Sequence, residues 1–174
     1  MADQEEVFEV VDPSGKVVGT ARRSELHKNP GLIHRVVHIL VYNSSGALLL
    51  QKRSMNKDIA PGKWDTSVGG HINIGEDVCS AAQREMKEEL GIEGYDLLYL
   101  YQYLYRGPRE AELVNTFRCS VERGFSFNRE EIDEIRYWDL QEIADALGSG
   151  IFSAHFEAEM SHYLQYLRQG RRRS

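Results

Sequence analysis

Cysteine is scarce in this chain of 174 residues. The two present, Cys79 and Cys119, form neither a disulfide framework nor a set with metal-ligand spacing, so both read as small apolar residues of a core. Long hydrophobic runs are absent too: the longest, 39–42 with its neighbours, is strand-sized. The N-terminus, MADQEEV, is acidic, so neither a membrane span nor a signal peptide is expected, and the expected location is cytoplasmic. Positive charge is not in excess. A formal net charge of −6 argues against a general nucleic-acid surface. The cluster of Arg168 with Arg171, Arg172 and Arg173 reads as a solvated tail. No internal repeat or low-complexity block interrupts the chain.

What is present is enough for one domain with a full core. Hydrophobic residues at 41% and charged residues at 28% fit a soluble globular protein. Residues 8–11 and 17–21 flank the turn Asp12-Pro13-Ser14-Gly15 and read as a hairpin, followed by a short helix over 22–27. This opening, 1–31, is expected to be an extension laid against a main domain over 32–174. A second hairpin over 34–42 and 47–53 turns at Asn43-Ser44-Ser45-Gly46 and should form the core sheet. A short strand is expected over 64–68, a third pair over 97–105 and 113–121, a helix from a cap at Asp139 to 147, and a terminal amphipathic helix over 153–167. Tyr99, Tyr101, Tyr103 and Tyr105 repeat with period two, which predicts one shared sheet face. Mixed strands and helices of this kind indicate an α/β or α+β fold with a central mixed sheet.

The stretch 70–92, GHINIGEDVCSAAQREMKEELGI, concentrates acid where a folded protein would ordinarily avoid it. Helical residues advance by about 100°, so Glu85 and Glu89 stack one turn apart and Glu88 lies beside them. Like charges at that spacing disfavour a helix unless a cation stands between them, and carboxylate oxygens suit magnesium or manganese. Cys79, Ala82, Met86 and Leu90 supply an adjoining apolar face. Asp77 suits the helix start and Gly91 a left-handed C-terminal cap.

Read as Gly70, five residues, Glu76, seven residues, then Arg84-Glu85-Met86-Lys87-Glu88-Glu89-Leu90-Gly91-Ile92, the stretch resembles the Nudix box, GX5EX7REUXEEXGU, at every fixed position. The likeness runs over about 33–147. It implies the Nudix α/β/α sandwich, bound Mg2+ or Mn2+, and hydrolysis of a nucleoside diphosphate linked to a group X, releasing a nucleoside monophosphate and a phosphorylated X. It further implies Glu85, Glu88 and Glu89 as metal-binding carboxylates, with Glu76 and Gly69 beside them and Arg84 orienting a glutamate. Glu88 is the first candidate for a general base and Glu134, in the acidic run Glu130, Glu131, Asp133, Glu134, a second. Lys52 and Arg53 are candidates to meet phosphate oxygens. The expected partner is a small-molecule diphosphate, and a homodimer stays open.

A narrower likeness starts at Trp64-Asp65-Thr66-Ser67-Val68-Gly69-Gly70-His71. With His27 and Leu32-Ile33-His34 it is similar to isopentenyl-diphosphate isomerases, a branch of the same fold. His27, His34 and His71 fall where the metal-binding histidines of that branch would lie, so they are candidates for a second site taking zinc or manganese. The isomerase acid pair is expected to be missing around 114–116, with Glu110 or Glu112 left open as acids that a loop shift would bring near, and Gly69 stands where the isomerase has its catalytic cysteine. The sequence is therefore read as an isomerase-like Nudix hydrolase, against two alternatives: isomerase activity, or a nucleotide-binding module without catalysis.

Overall fold

The structure, a computed structural model, describes residues 5–171, so Arg172 and Arg173 of the arginine cluster lie outside the described residues. In chain order the elements are β1 (Val7–Val11), β2 (Val17–Arg22), α1 (Arg23–Leu26), β3 (Ile33–Tyr42), β4 (Leu48–Arg53), β5 (Trp64–Asp65), β6 (Val68–His71), α2 (Val78–Leu90), β7 (Leu98–Arg106), β8 (Ala111–Ser120), β9 (Ile132–Trp138), α3 (Leu140–Ala146) and α4 (Ala154–Arg171). None of these helices is long and apolar enough to cross a membrane.

Strand β3, IHRVVHILVY, is the axis of the sheet. It is apolar on both faces because both are covered. It runs parallel to β8 from Ile33↔Ala111 to Tyr42↔Ser120. On its other side it pairs antiparallel with β6 from Val36↔His71 to Ile39↔Val68. One parallel pairing among antiparallel ones makes the sheet mixed. Val37, Ile39 and Val41, with Leu49 of β4, pack under Ala82, Met86 and Leu90 of α2. The alternate residues Leu40 and Tyr42, with Leu48 and Leu50, pack under Ile143 of α3 and Phe156, Met160 and Tyr163 of α4. The result is the expected α/β/α layering.

The first hairpin forms as its turn residues predict. The Asp12 carboxylate accepts from the Ser14 and Lys16 amides, and Gly15 takes the left-handed φ of 88° that the turn requires. Pairing of β1 with β3 at Val10↔His34 then ties this hairpin, and α1 behind it, to the strand that carries the site.

Four local expectations change. The strand over 64–68 is two strands, because the chain passes from beside β4 to beside β3. Ser67 bridges the gap, its hydroxyl accepting from the Val41 amide at 2.9 Å and donating to the Leu49 carbonyl. The second hairpin pairs only at Tyr42↔Leu48, because β3 turns to β8 and β6 while β4 turns to β5 and to β9, whose buried Ile132 and Trp138 outweigh the charges that point outward. A bulge between Tyr99 and Tyr101 shifts the alternation, so Tyr99 packs edge-on against Phe117 on the α2 face, while Tyr101, Tyr103 and Tyr105 meet Tyr166, His162 and His155 of α4. Cys79, expected in the core, is exposed in the first turn of α2; Cys119 is buried.

Phe156 is fully buried at the centre of the α4 interface. Phe156→Ala should cost about 3–5 kcal/mol in urea unfolding, whereas Val18→Ala on β2, where Val18 is 63% exposed, should change stability by less than about 0.5 kcal/mol.

Candidate active site and metal centre

The box helix is held at both ends by local chemistry. Asp77 caps α2, its carboxylate accepting from the amides of Cys79 and Ser80 at 3.0 Å, and Gly91 closes it in the left-handed conformation with φ 66°. Arg84 then ties the acids together. Its guanidinium donates to both oxygens of Glu76 at 2.9 Å, to Glu85 at 2.6 Å, to Glu88 at 3.1 Å and to the His71 carbonyl at 2.8 Å. Arg84 therefore orients more than one glutamate. Glu85 lies so close over Gly70 that a Cβ there would stand 2.0 Å from its carboxyl carbon, so the glycine is required by space.

Glu89 accepts from Gln51 Nε2 at 2.8 Å and from the Gly69 amide at 3.2 Å. Burial and the charge of Glu85 push its pKa up to about 8, and burial raises that of Glu85 as well. Two acids held together without enough positive charge between them are the expected donor set for a hard divalent cation. Glu88 sits at the exposed rim.

The three histidines assemble as anticipated. The ring nitrogens His27 Nε2 and His71 Nε2 lie 3.1 Å apart, and the His34–His71 and His27–His34 ring centroids are 5.0 and 5.8 Å apart. Burial lowers the pKa of His27 and, strongly, of His71, which keeps both imidazoles neutral and able to ligate.

The two acids left open in place of the missing pair, Glu110 and Glu112, both reach the histidines. Glu110 and Glu112, brought alongside by the parallel β3–β8 ladder, place oxygens 3.5 Å from His27 Nε2 and 3.6 Å from His34 Nε2. The pair lies at the entry to β8 rather than at 114–116: Glu110 immediately precedes the strand, and the register sets Glu112 opposite His34. Both nitrogens of His34, Glu110 Oε2 and Glu112 Oε2 are buried without a hydrogen-bond partner, a donor set whose chemistry fits a metal ion. His155 of α4 adds a sixth group that the sequence reading missed, 3.1 Å from Glu110 and 3.5 Å from Glu112. Burial opposes its charge, but Glu112 and Glu110 outweigh burial and lift its pKa to about 9. Glu112 in turn is held well below the usual carboxylate range by His155 and His34 despite its burial. No local pattern marks His155, since it acts through helix packing alone.

Both clusters open on one cleft of about 410 Å³, with Glu85, Glu88 and Glu89 on one wall and His27, His71, Glu110, Glu112 and His155 on the other. Arg53 lines it, fixed by the Asp65 carboxylate at 3.1 Å and the Ile59 carbonyl at 2.8 Å. Two expectations need correction. Lys52, the next residue on an alternating strand, points away, and Lys57 of the following loop lines the cleft instead; Glu134 sits exposed on β9, and Glu131 is the acid of that run at the cleft.

The profile of the NUDIX domain matches residues 32–158, and the chain belongs to that family. It is 33% identical over 136 residues to an uncharacterized Nudix hydrolase of Pseudomonas aeruginosa, covering 78% of this chain and 80% of that one. It is 31% identical over 156 residues to the isopentenyl-diphosphate Delta-isomerase of Streptomyces griseus, covering 86% of this chain and 79% of the relative. Nudix hydrolase 3 of Arabidopsis thaliana is 30% identical over 158 residues, which span 82% of this chain but only 20% of that protein. Among solved structures, DR0079 of Deinococcus radiodurans superposes with a TM-score of 0.75 at 24% identity, covering 85% of this chain and 92% of the other, and shares the fold. The protein is thus an enzyme of the Nudix pyrophosphohydrolase class, a class that generally uses divalent metal ions.

The raised pKa of Glu89 has a sign that can be tested. The folded protein keeps a proton on Glu89 that the unfolded chain releases above its ordinary 4.5, so metal-free stability should fall as pH rises from about 4.5 to about 8. Glu89→Gln removes this titration. In chelator, thermal unfolding should show the variant close to wild type near the acid end and more stable by about 3–5 kcal/mol near pH 8.

Proposed function

We propose that this chain is a metal-dependent hydrolase of the diphosphate linkage in a nucleoside diphosphate joined to a group X, releasing a nucleoside monophosphate and a phosphorylated X. The observation that carries this reading is the pair of cleft-facing carboxylates, Glu85 and Glu89, held together by Arg84, Gly70 and Gly69 with their pKa values raised. Glu85 and Glu89, with Glu88 at the rim, would hold magnesium or manganese, and Glu76 supports them through Arg84. A bound ion of this kind neutralises diphosphate charge and acidifies a water. Glu88 or Glu131 takes the proton of the attacking water, and Arg53 and Lys57 meet phosphate oxygens. His27, His34 and His71, completed by Glu110 and Glu112, form a second site for a transition metal. Residues 1–31 then serve as an extension that delivers His27 to the domain over 32–174.

The histidine and glutamate cluster also favours a second reading, isopentenyl-diphosphate isomerization. Gly69 speaks against it, since glycine offers no side chain to move a proton at that place. A binding module without catalysis is disfavoured by the complete set of box carboxylates.

Screening nucleotide-sugars, dinucleotides, coenzyme A and nucleoside diphosphates with magnesium or manganese should find phosphate-ester release that Glu85→Gln lowers by orders of magnitude; undiminished turnover by that variant would sink the assignment. Proton NMR on isopentenyl diphosphate should show no double-bond migration, and migration absent from the Glu85→Gln control would restore the isomerase reading. Calorimetric titration of zinc into Glu85→Gln/Glu89→Gln should give one stoichiometric event, lost in His34→Ala and stronger as pH rises from about 5.5 to about 7.5, because protons compete for imidazole nitrogen.

A further inference from the structure

Neither carboxylate site accounts for a third polar group beside the cleft. Glu159 of α4 is completely buried and sits among four donors: Tyr101 Oη at 2.7 Å, Tyr103 Oη at 2.9 Å, Thr116 Oγ1 at 3.0 and 3.1 Å, and His38 Nδ1 at 2.8 Å. A carboxylate so surrounded is ionised and can only accept, so the proton between it and His38 belongs to Nδ1. That fixes the imidazole in orientation and leaves Nε2 for another partner.

The edge of the ring that carries Nε2 faces Gly69. A Cβ at Gly69 would lie 3.4 Å from His38 Cδ2 and 3.7 Å from Nε2, and both residues line the cleft. Any larger side chain at 69 would cover that nitrogen. The amide of the same glycine holds Glu89, so the imidazole edge and a box carboxylate flank a single residue. The Glu159 cluster can be understood as an anchor for α4. An anchor alone does not call for a histidine whose free nitrogen is uncovered toward the cleft, because a tyrosine or threonine hydroxyl already satisfies Glu159 from each neighbouring strand.

We propose that His38 is a further substrate-binding residue of the hydrolase, donating Nε2–H to the diphosphate through the gap left by Gly69. The inference rests on the hydrolase reading above. The anionic Glu159 balances the cationic ring it implies, so the pair enters the interior without net charge. Burial works against a charged imidazole, but the Glu159 hydrogen bond and charge outweigh it and hold the His38 pKa above its ordinary value.

The test compares His38→Asn, His38→Gln and Gly69→Ala with wild type. Asparagine places its amide nitrogen near Nδ1 and keeps Glu159 satisfied but cannot reach the cleft; glutamine places one near Nε2. Alanine at 69 leaves both His38 and Glu159 in place and only covers the nitrogen, and Gly69 has no left-handed φ that would strain it. Inorganic pyrophosphate with magnesium is the calorimetric probe, and KM and kcat are measured on a substrate that the wild type turns over. His38→Asn and Gly69→Ala should weaken pyrophosphate binding and raise KM by about tenfold or more, the loss of one charged hydrogen bond, while His38→Gln recovers part of it. Binding and KM within twofold of wild type in folded His38→Asn, or in Gly69→Ala if the asparagine variant does not fold, overturn the role of His38 and leave the hydrolase reading standing. Wild-type protein that neither binds the probe nor turns over any substrate overturns the hydrolase reading, and this inference with it.

Discussion

The guanidinium of Arg84 reaches Glu76, Glu85, Glu88 and the His71 carbonyl at once, and the rest of the site is arranged around that reach. Without it Glu85 and Glu88 would repel along one helix face, and Glu76 would be held only by the Asn73 amide. The contact to the His71 carbonyl extends the same restraint to the end of β6, where the histidine cluster begins. One side chain thus connects both walls of the cleft. Its own pKa is raised far beyond its ordinary value by Glu76 and Glu85 despite partial burial, so the link carries charge at every working pH.

The box was legible in the sequence because it is local. Its cap, acidic stripe and closing glycine follow from helical spacing within one short stretch, and the structure places Asp77, Glu85, Glu89 and Gly91 accordingly. The layered fold was legible for a similar reason: hydrophobic runs and turn residues mark the first hairpin and the two core strands β3 and β4, although these two pair only at Tyr42↔Leu48. Gly69 and Gly70 have no side chain to keep a neighbour away, and only the structure tells what approaches them: the His38 ring and Glu89 at one, the Glu85 carboxyl at the other.

What could not be read depends on register between distant segments. Glu110, Glu112 and His155 join the histidines through a parallel ladder and a helix packed across the sheet, and neither leaves a periodic trace near those residues. The substitution of Lys57 for Lys52 and of Glu131 for Glu134 has the same origin, since one residue along a strand reverses the side chain and a bulge in the β4–β9 pairing falls at Lys52/Arg53. Tyr99 left its expected face through another bulge. Strand β9 was hidden by charge, because its acidic residues look outward while the apolar residues between them carry the packing.

The two halves of the cleft differ in how much chain each must gather. The box is complete within a single loop and helix, whereas the histidine wall draws on residues from His27 to His155 and waits for β8 to lie beside β3 and for α4 to dock. Closing such a long-range parallel pairing is slow relative to forming a helix. During folding, then, the carboxylate helix can exist well before its opposite wall, and a nascent chain could meet hard cations long before it could discriminate among softer ones. Any selectivity of the proposed histidine site would be acquired only at the final tertiary step.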